Sequence, residues 1–579
     1  MADLLLACTR VGHAPLAAER LRRAALRLAP PEVPPREPFL LEAAGVVAAV
    51  ANPTEQGVWL HGGDEPAPGG GVGIGGLFGA TDRWWQTGAP APDGTCALAR
   101  WDAGTVELLA DICASRTLWY TLTAEALLAS TSQRALVSLL GSFELQPEAV
   151  ACFLSSGTLG PEVSWDARVS RVQPDARVIL DRGSWVVRET RAPFDLTPAA
   201  GDRAAHVARL RDALTTTCAA LAVDPGRWVL TLSGGRDSRA LLAILAANGT
   251  RPRCITWTTR AALRRPLSDA NIARRLARHF RAEHELWYLD DHLVDTGTAL
   301  ERFVAANEGR NDEINAYLDG LALWAHLRRE GVCGVVRGDE AYGPRRHSPT
   351  PEDSRMGMGG ATPLDYPEPH VLRSLGLAPQ SWPPRLHVAP GESRLDYRLR
   401  TMQHGYIPIV VAGLNGLKAR YVEVATPHLA RSVVETVRGL PTDLRRHSRA
   451  FSAIADRQAR YIPYARSSST PSLSQTLGSP EMLETIVGEL TAAEVERVLP
   501  GDGALHLLAA LAAPRDDRSG AKARLKSALS ALPAELTYRL LPPWKGPEAL
   551  PAERLALRAV LAGMTIRLLT DDARDRQSA

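Results

Sequence analysis

Trp228-Val-Leu-Thr-Leu-Ser-Gly-Gly-Arg-Asp-Ser-Arg239 is the stretch on which the fold turns. Trp228 to Leu232 are apolar or β-branched, which predicts an interior strand. Ser233, Gly234 and Gly235 predict a turn where backbone can approach a ligand with no Cβ in the way. Ala240-Leu-Leu-Ala-Ile-Leu-Ala-Ala247 is a strong helix former, and Asn248-Gly249 is a stop signal. The N–H groups of such a turn, together with the positive end of the helix, make an anion site, and a pyrophosphate suits it best. No Gly-Lys-Ser/Thr follows, so it is not a Walker loop.

Working outward, a second strand is predicted at Pro252–Trp257, a helix at Ser268–Phe280 opened by Ser268-Asp269, and a third strand at Glu283–Tyr288. This alternation predicts a parallel sheet with helices on both faces, binding its ligand at the carboxyl ends of the strands. Further on, Gly334-Val-Val-Arg-Gly-Asp-Glu-Ala-Tyr-Gly343 reads as another strand ending in an acidic turn.

The N-terminal portion, to about residue 195, is different. Short strands are predicted at Cys96–Trp101, Thr105–Ala110, Ala126–Ser130 and Ala176–Leu180. They are separated by turns at Pro92-Asp-Gly94, Asp102-Ala-Gly104 and Asp181-Arg-Gly183. Antiparallel sheets with a few helices are expected there. A Pro/Gly-rich stretch at about 344–391 is expected to be an insertion or mobile loop, and the polar end Asp571–Ala579 to fray.

Composition excludes several classes. A chain of 579 residues has room for two to four domains. Its 45% hydrophobic and 23% charged residues are ordinary for a globular protein, and a net charge of +3 calls for no nucleic-acid partner. Lysine occurs only at positions 418, 522, 526 and 545, so the basic residues are nearly all arginine. Seven scattered cysteines, at 8, 96, 113, 152, 218, 254 and 333, form no C-x-x-C pair, so neither a zinc site nor a disulfide framework is indicated. There is no signal peptide and no apolar run of about 18 residues. A reducing cytoplasm is the expected compartment.

The Ser-Gly-Gly-x-Asp-Ser spacing resembles the pyrophosphate loop of the N-type ATP pyrophosphatases, the family of asparagine synthetase, β-lactam synthetase and the lasso-peptide cyclases. The resemblance implies an α+β, Ntn-type glutaminase-like domain over 1–195. An α/β PP-loop synthetase domain of adenine nucleotide alpha hydrolase type, rich in helices, would follow over 201–570. Ser233, Gly234, Gly235 and Ser238 would hold the phosphates and Asp237 would bind Mg²⁺; Arg236 takes the variable position. Thr256, Trp257 and Thr258 would hold adenine by backbone contacts. Gly338-Asp339-Glu340 is similar to the family's acidic element, with Gly338 at the nucleotide, Asp339 a second Mg²⁺ ligand and Glu340 beside it. Val336 stands where β-lactam synthetase has Tyr and asparagine synthetase has Glu, so the catalytic base stays unidentified. Glu423 and Pro427 fit a further family segment, although Ala425, His428 and Ala430 depart from it. Arg466 falls where the family's pyrophosphate-stabilising cation would lie.

Asp93–Asp102, Asp111–Tyr120 and Leu128–Ser132 resemble the glutaminase-type domain of asparagine synthetases. That activity needs Cys as the first processed residue. This chain begins Met1-Ala2-Asp3, and Cys8 could serve only after cleavage, so the domain is expected to be an inactive scaffold. The resemblance implies ATP and Mg²⁺ as cofactors and a reaction in which a carboxylate is adenylated, pyrophosphate leaves, and an amine displaces AMP to give an amide. A lasso-peptide macrolactam synthetase is the first reading, joining the N-terminal amine of a precursor peptide to an Asp or Glu side chain. A leader-binding protein and a leader peptidase would be its partners. The alternatives are a small-molecule amide synthetase of asparagine or β-lactam type, and a nucleotide-binding scaffold without catalysis.

Overall fold

The computed structural model describes residues 3–574, except 44, 54–55, 63–68, 80–81, 222, 341, 343–349, 367–374, 376–381 and 513–549. Its first half carries twelve strands. They are β1 (Asp3–Thr9), β2 (Phe39–Ala43), β3 (Val46–Ala51), β4 (Val58–His61), β5 (Gly70–Leu77) and β6 (Gly94–Trp101), followed by β7 (Thr105–Ala110), β8 (Trp119–Leu122), β9 (Ala126–Ser130), β10 (Ser170–Arg171), β11 (Ala176–Asp181) and β12 (Val186–Arg191). They form two six-stranded antiparallel sheets, ordered β10-β8-β9-β1-β3-β2 and β12-β11-β7-β6-β5-β4.

β1 explains why the sheets stack. Its sequence DLLLACT is buried throughout, and strand side chains alternate between faces. Leu4, Leu6 and Cys8 join the core between the two sheets, meeting Val72, Ala97 and Leu108. Leu5 and Ala7 join the opposite core with Leu21, Leu136 and Phe153. Those three lie on the helices Ala18–Leu26, Gln133–Leu140 and Pro147–Ser156. A central strand covered on both faces has no room for polar alternation, which is why it reads as one apolar run.

The second half is built on a five-stranded sheet of β13 (Trp228–Thr231), β14 (Arg253–Thr258), β15 (His284–Tyr288), β16 (Gly334–Val336) and β17 (Glu423–Ala425). Its order is β15-β14-β13-β16-β17 and every pair is parallel, with Leu230 opposite Cys254 on one side and Val336 on the other. Helices Asp237–Ala247 and Asp269–Phe280 cover one face with Leu230, while Thr296–Asn307 and Ala322–Arg329 cover the other with Val229 and Val335. Ser268 caps the second of these helices as its sequence predicts.

Two expectations change. The described parts of the 344–391 stretch are ordered against the N-terminal half: Thr158 Oγ1 donates to Gly359 O at 3.1 Å, and Arg385 pairs with Glu162 at 2.5 Å. Beyond them, Arg394–Thr401, a π-helical segment Met402–Val411 and Ala412–Lys418 run on as one helix. At the other end, Asp571–Arg574 do not fray. They finish a 23-residue helix, Ala552–Arg574, whose Asp572 is buried and receives Arg134 at 2.8 Å. A buried ion pair outweighs the local polarity of the tail. Residues 575–579 lie outside the described residues. The same helix ties the halves together through Arg558, which donates to Asp312 at 2.7 Å and to the carbonyls of Leu154 and Ser155 at 2.8 and 2.7 Å.

Candidate functional site

β13 stops at Thr231 and the next helix starts at Asp237, so Leu232–Arg236 form the loop at the carboxyl edge of the central strand. The loop is cross-braced from within. Ser233 N donates to Ser238 Oγ at 3.0 Å, Gly235 N donates to Ser233 Oγ at 3.2 Å, and the two serine hydroxyls are 3.1 Å apart. Gly234 N donates to Asp269 Oδ1 at 3.2 Å, so a carboxylate already lies against this anion-type turn. Burial pushes the Asp269 carboxyl up. The variable Arg236 is buried and points away from the edge, to Ser452 Oγ and Ser448 O.

The acidic turn after β16 is pressed onto this loop. A Cβ on Gly338 would lie 2.6 Å from Ser238 N and 2.9 Å from the carbonyl carbon of Asp237, closer than real Cβ contacts come. Only glycine permits the approach, and it sets Asp339 one residue from Asp237. Glu340 lies half-buried in the same turn and accepts from Tyr342 N. Tyr342 OH meets His428 Nδ1 at 2.9 Å, and His428 Nε2 meets Asp237 O at 3.1 Å. Burial lowers His428 to about 4, so the ring is neutral at physiological pH, with one nitrogen donating and the other accepting.

The third motif reaches the same edge. Ala465 N donates to Gly234 O at 3.0 Å, and a Cβ on Gly234 would lie 2.5 Å from Ala465 Cβ. Arg466 follows, its backbone held by Leu267 O at 2.8 Å and its side chain exposed. The clamp on this segment is Arg239, buried in the first helix and unassigned from sequence. It donates to Ile462 O and Pro463 O, both at 2.8 Å, and stacks 4.1 Å from the Tyr464 ring centroid.

On β14, Thr256 Oγ1 donates to Leu232 O at 2.5 Å and meets His284 Nε2 at 2.9 Å; Thr258 is buried at the strand end. Trp257 is half-buried, 5.7 Å edge-on from Trp324. Glu423 is not brought to the loops. It opens β17 opposite Gly334, at the amino end of that strand pair, and is 1% exposed with its carboxylate on Arg116 of the N-terminal half. Burial raises it, more than Arg116 lowers it. Its role in this structure is an interdomain ion pair.

Residues 209–327 match the asparagine synthase family profile. That segment is similar to the asparagine synthase domain. It holds the Ser233–Ser238 loop, β14 and β15, while Gly338, Glu423 and Arg466 lie beyond the matched residues. On this ground the protein is an ATP-dependent amide ligase of mixed α/β architecture, forming amide bonds in the general sense of that family. No curated protein matches the chain. Among solved structures, one described as that of the allosteric regulatory enzyme of purine biosynthesis is similar at 10% identity over 49% of this chain and 80% of that chain, with a TM-score of 0.21, which carries no argument about fold or function. Among the described residues no helix is long and apolar enough to cross a membrane.

The asparagine synthase family uses ATP, generally with Mg²⁺. At Asp339 the residues present do not fit a metal. Arg337 grips the carboxylate in a fork, Nε to Oδ2 at 3.0 Å and Nη2 to Oδ1 at 3.2 Å, and Asn415 Nδ2 donates to Oδ2 at 2.8 Å. Burial pushes the acid up, but Arg337, Asn415 and Lys418 outweigh it and hold Asp339 below the usual carboxylate range. Sequence pattern reads Asp339 as a metal ligand; in this structure its oxygens are held by side chains whose reach the motif does not reveal. Among the described residues no three His, Cys, Asp or Glu side chains converge as a metal cluster.

Proposed function

We propose that the chain adenylates a carboxylate with ATP and passes the acyl group to an amine of the same substrate, closing a macrolactam in a peptide of lasso type. The contact of Gly338 with Ser238 carries this reading, because it brings the two loops together at one strand edge, where they would hold the nucleotide's phosphates. In the first step a carboxylate oxygen attacks the α-phosphorus, the bond to the β-phosphate breaks and pyrophosphate leaves. In the second, the amine nitrogen attacks the acyl carbon, gives up a proton and expels AMP. Ser233, Gly234, Gly235 and Ser238 would position the phosphates, and Thr256 and Trp257 the adenine. Arg466 would stabilise charge on the leaving pyrophosphate, and Glu340 would orient the nucleophile. Holding both reactants in place accounts for about 7–11 kcal/mol of barrier lowering in such systems.

The state of the thiols supports an amine supplied by the substrate. All seven cysteines are buried. Cys8 sits between the two antiparallel sheets, its thiol pushed up by burial. A thiol held protonated away from solvent is a poor nucleophile for glutamine hydrolysis. A precursor peptide would be the substrate, with a leader-binding protein and a leader peptidase acting before this step.

ATP–pyrophosphate exchange tests the reading, with wild type and Asp237→Ala and a candidate precursor peptide. Peptide-dependent exchange lost in the variant supports cyclisation. Exchange with small amino acids alone moves the function to a small-molecule amide synthetase. ATP binding without exchange on any carboxylate leaves a nucleotide-binding scaffold.

A further inference from the structure

We propose that Arg337, and not a divalent metal, is the resident cation of Asp339, and that its free edge supplies fixed positive charge to the triphosphate. Arg337 is the first residue after β16, and its backbone N donates to Ala425 O at 2.9 Å, which fixes it between the ends of β16 and β17. The next residue, Gly338, touches the phosphate loop at Ser238, so the backbone that carries Arg337 adjoins that loop.

The fork onto Asp339 uses Nε and Nη2, and Nη1 makes no hydrogen bond among the described residues. An arginine gripped on one edge keeps N–H groups for a second anion, and it stays charged at any working pH. Burial lowers Arg337, but Asp339 outweighs it and keeps it cationic. Asn415 adds a third donor to the same carboxylate. Lys418 is buried beside the Tyr317 and Trp324 rings at 5.4 and 5.7 Å, with its Nζ donating to Leu414 O at 2.5 Å, and burial lowers its ammonium well below the ordinary lysine range. A dication bound to Asp339 would have to displace Arg337 or lie against it. Asp339 is thus a positioning residue that aims Arg337. The assignment of the anion as a triphosphate rests on the adenylation reading.

Counting bound Mn²⁺ by electron paramagnetic resonance on the full chain tests this, with and without α,β-methylene-ATP. Wild type and Asp339→Asn should bind equal numbers of Mn²⁺. Arg337→Gln should gain one site, which Arg337→Gln with Asp339→Asn should lose, and Arg337→Lys should resemble wild type. Loss of one Mn²⁺ in Asp339→Asn would overturn the proposal. In EDTA, Arg337→Gln should bind the analogue about tenfold more weakly, the scale of one charge-assisted hydrogen bond. Unchanged affinity, or no binding by wild type, would overturn the triphosphate role. Pyrophosphate exchange is read separately. Its absence with a wild-type Mn²⁺ count as expected would remove the adenylation reading and leave the Asp339 assignment standing.

Discussion

Arg239 and Tyr464 face one another, the guanidinium carbon 4.1 Å from the ring centroid, and the same guanidinium holds the carbonyls of Ile462 and Pro463 at 2.8 Å. This ties the first phosphate motif to the segment carrying Arg466. Replacing Arg239 with Leu leaves two carbonyls unpaired and frees the segment. Stability should fall by about 2–3 kcal/mol, read from urea midpoints. Pyrophosphate exchange should fall further than that loss explains, because Arg466 is no longer held. Arg239→Lys should keep one carbonyl contact and part of both effects. Equal exchange in wild type and Arg239→Leu would sink the clamp.

Gly338→Ala places a methyl 2.6 Å from Ser238 N. The loops must part, which costs about 1–3 kcal/mol in a packed interior. Nucleotide affinity by calorimetry should drop with it. An alanine variant that binds nucleotide as wild type does would show that the two loops do not act together.

Arg466 is exposed, so removing it should leave the fold intact. Arg466→Ala should unfold within about 0.5 kcal/mol of wild type. Its rate of adenylation should fall on the order of 100-fold, as for loss of one preorganised charge-stabilising donor. A variant with full rate removes Arg466 from the reaction.

Arg116 and Glu423 form a buried pair across the two halves. Arg116→Met strands a carboxylate that burial already raises, and should cost about 3–5 kcal/mol. Adding Glu423→Gln should recover much of that loss. If the double variant is no more stable than the single, the pair is not what holds the halves at this point.

The pH dependence follows from buried histidines. His428 and His284 are both lowered by burial to about 4 from an ordinary 6.5, and His404 is lowered well below that value. Between those limits the unfolded chain binds more protons than the folded one. The stabilisation is therefore complete above pH 6.5 and is lost as pH falls through the window towards 4. For fully buried His428 the loss is roughly 3 kcal/mol. Urea midpoints at pH 7.5, 5.5 and 4.5 should decline, and His428→Gln should reduce the slope. An unaltered slope in that variant would place the titration elsewhere.

Much of the frame was legible from local pattern. The run Trp228–Leu232 is a strand within one residue, Ser268 caps its helix, and three strands run parallel as the βαβ alternation demands. In the N-terminal half, short strand-like runs between turns at Asp93-Gly94, Asp102-Ala-Gly104 and Asp181-Arg-Gly183 located β6, β7, β9 and β11. These signals are short-range: period, β-branching and turn residues act over a few positions. What they missed was pairing at a distance. Arg239 lies inside the most informative stretch, yet nothing around it points to carbonyls 223 and 224 positions away. Asp269 gives no hint in sequence that it takes the Gly234 N–H.

By itself, then, the sequence determined the strand–turn–helix loop, the parallel core that presents it and the antiparallel half in front, since periodicity and turn chemistry are properties of neighbouring residues. The tertiary structure alone decided which charges meet. It closed Asp339 with Arg337 and Asn415, took Glu423 away to Arg116, and pressed Gly338 onto Ser238. Each of these depends on where a side chain ends in space after distant strands have paired, and a buried charge or a missing Cβ acquires its consequence only there.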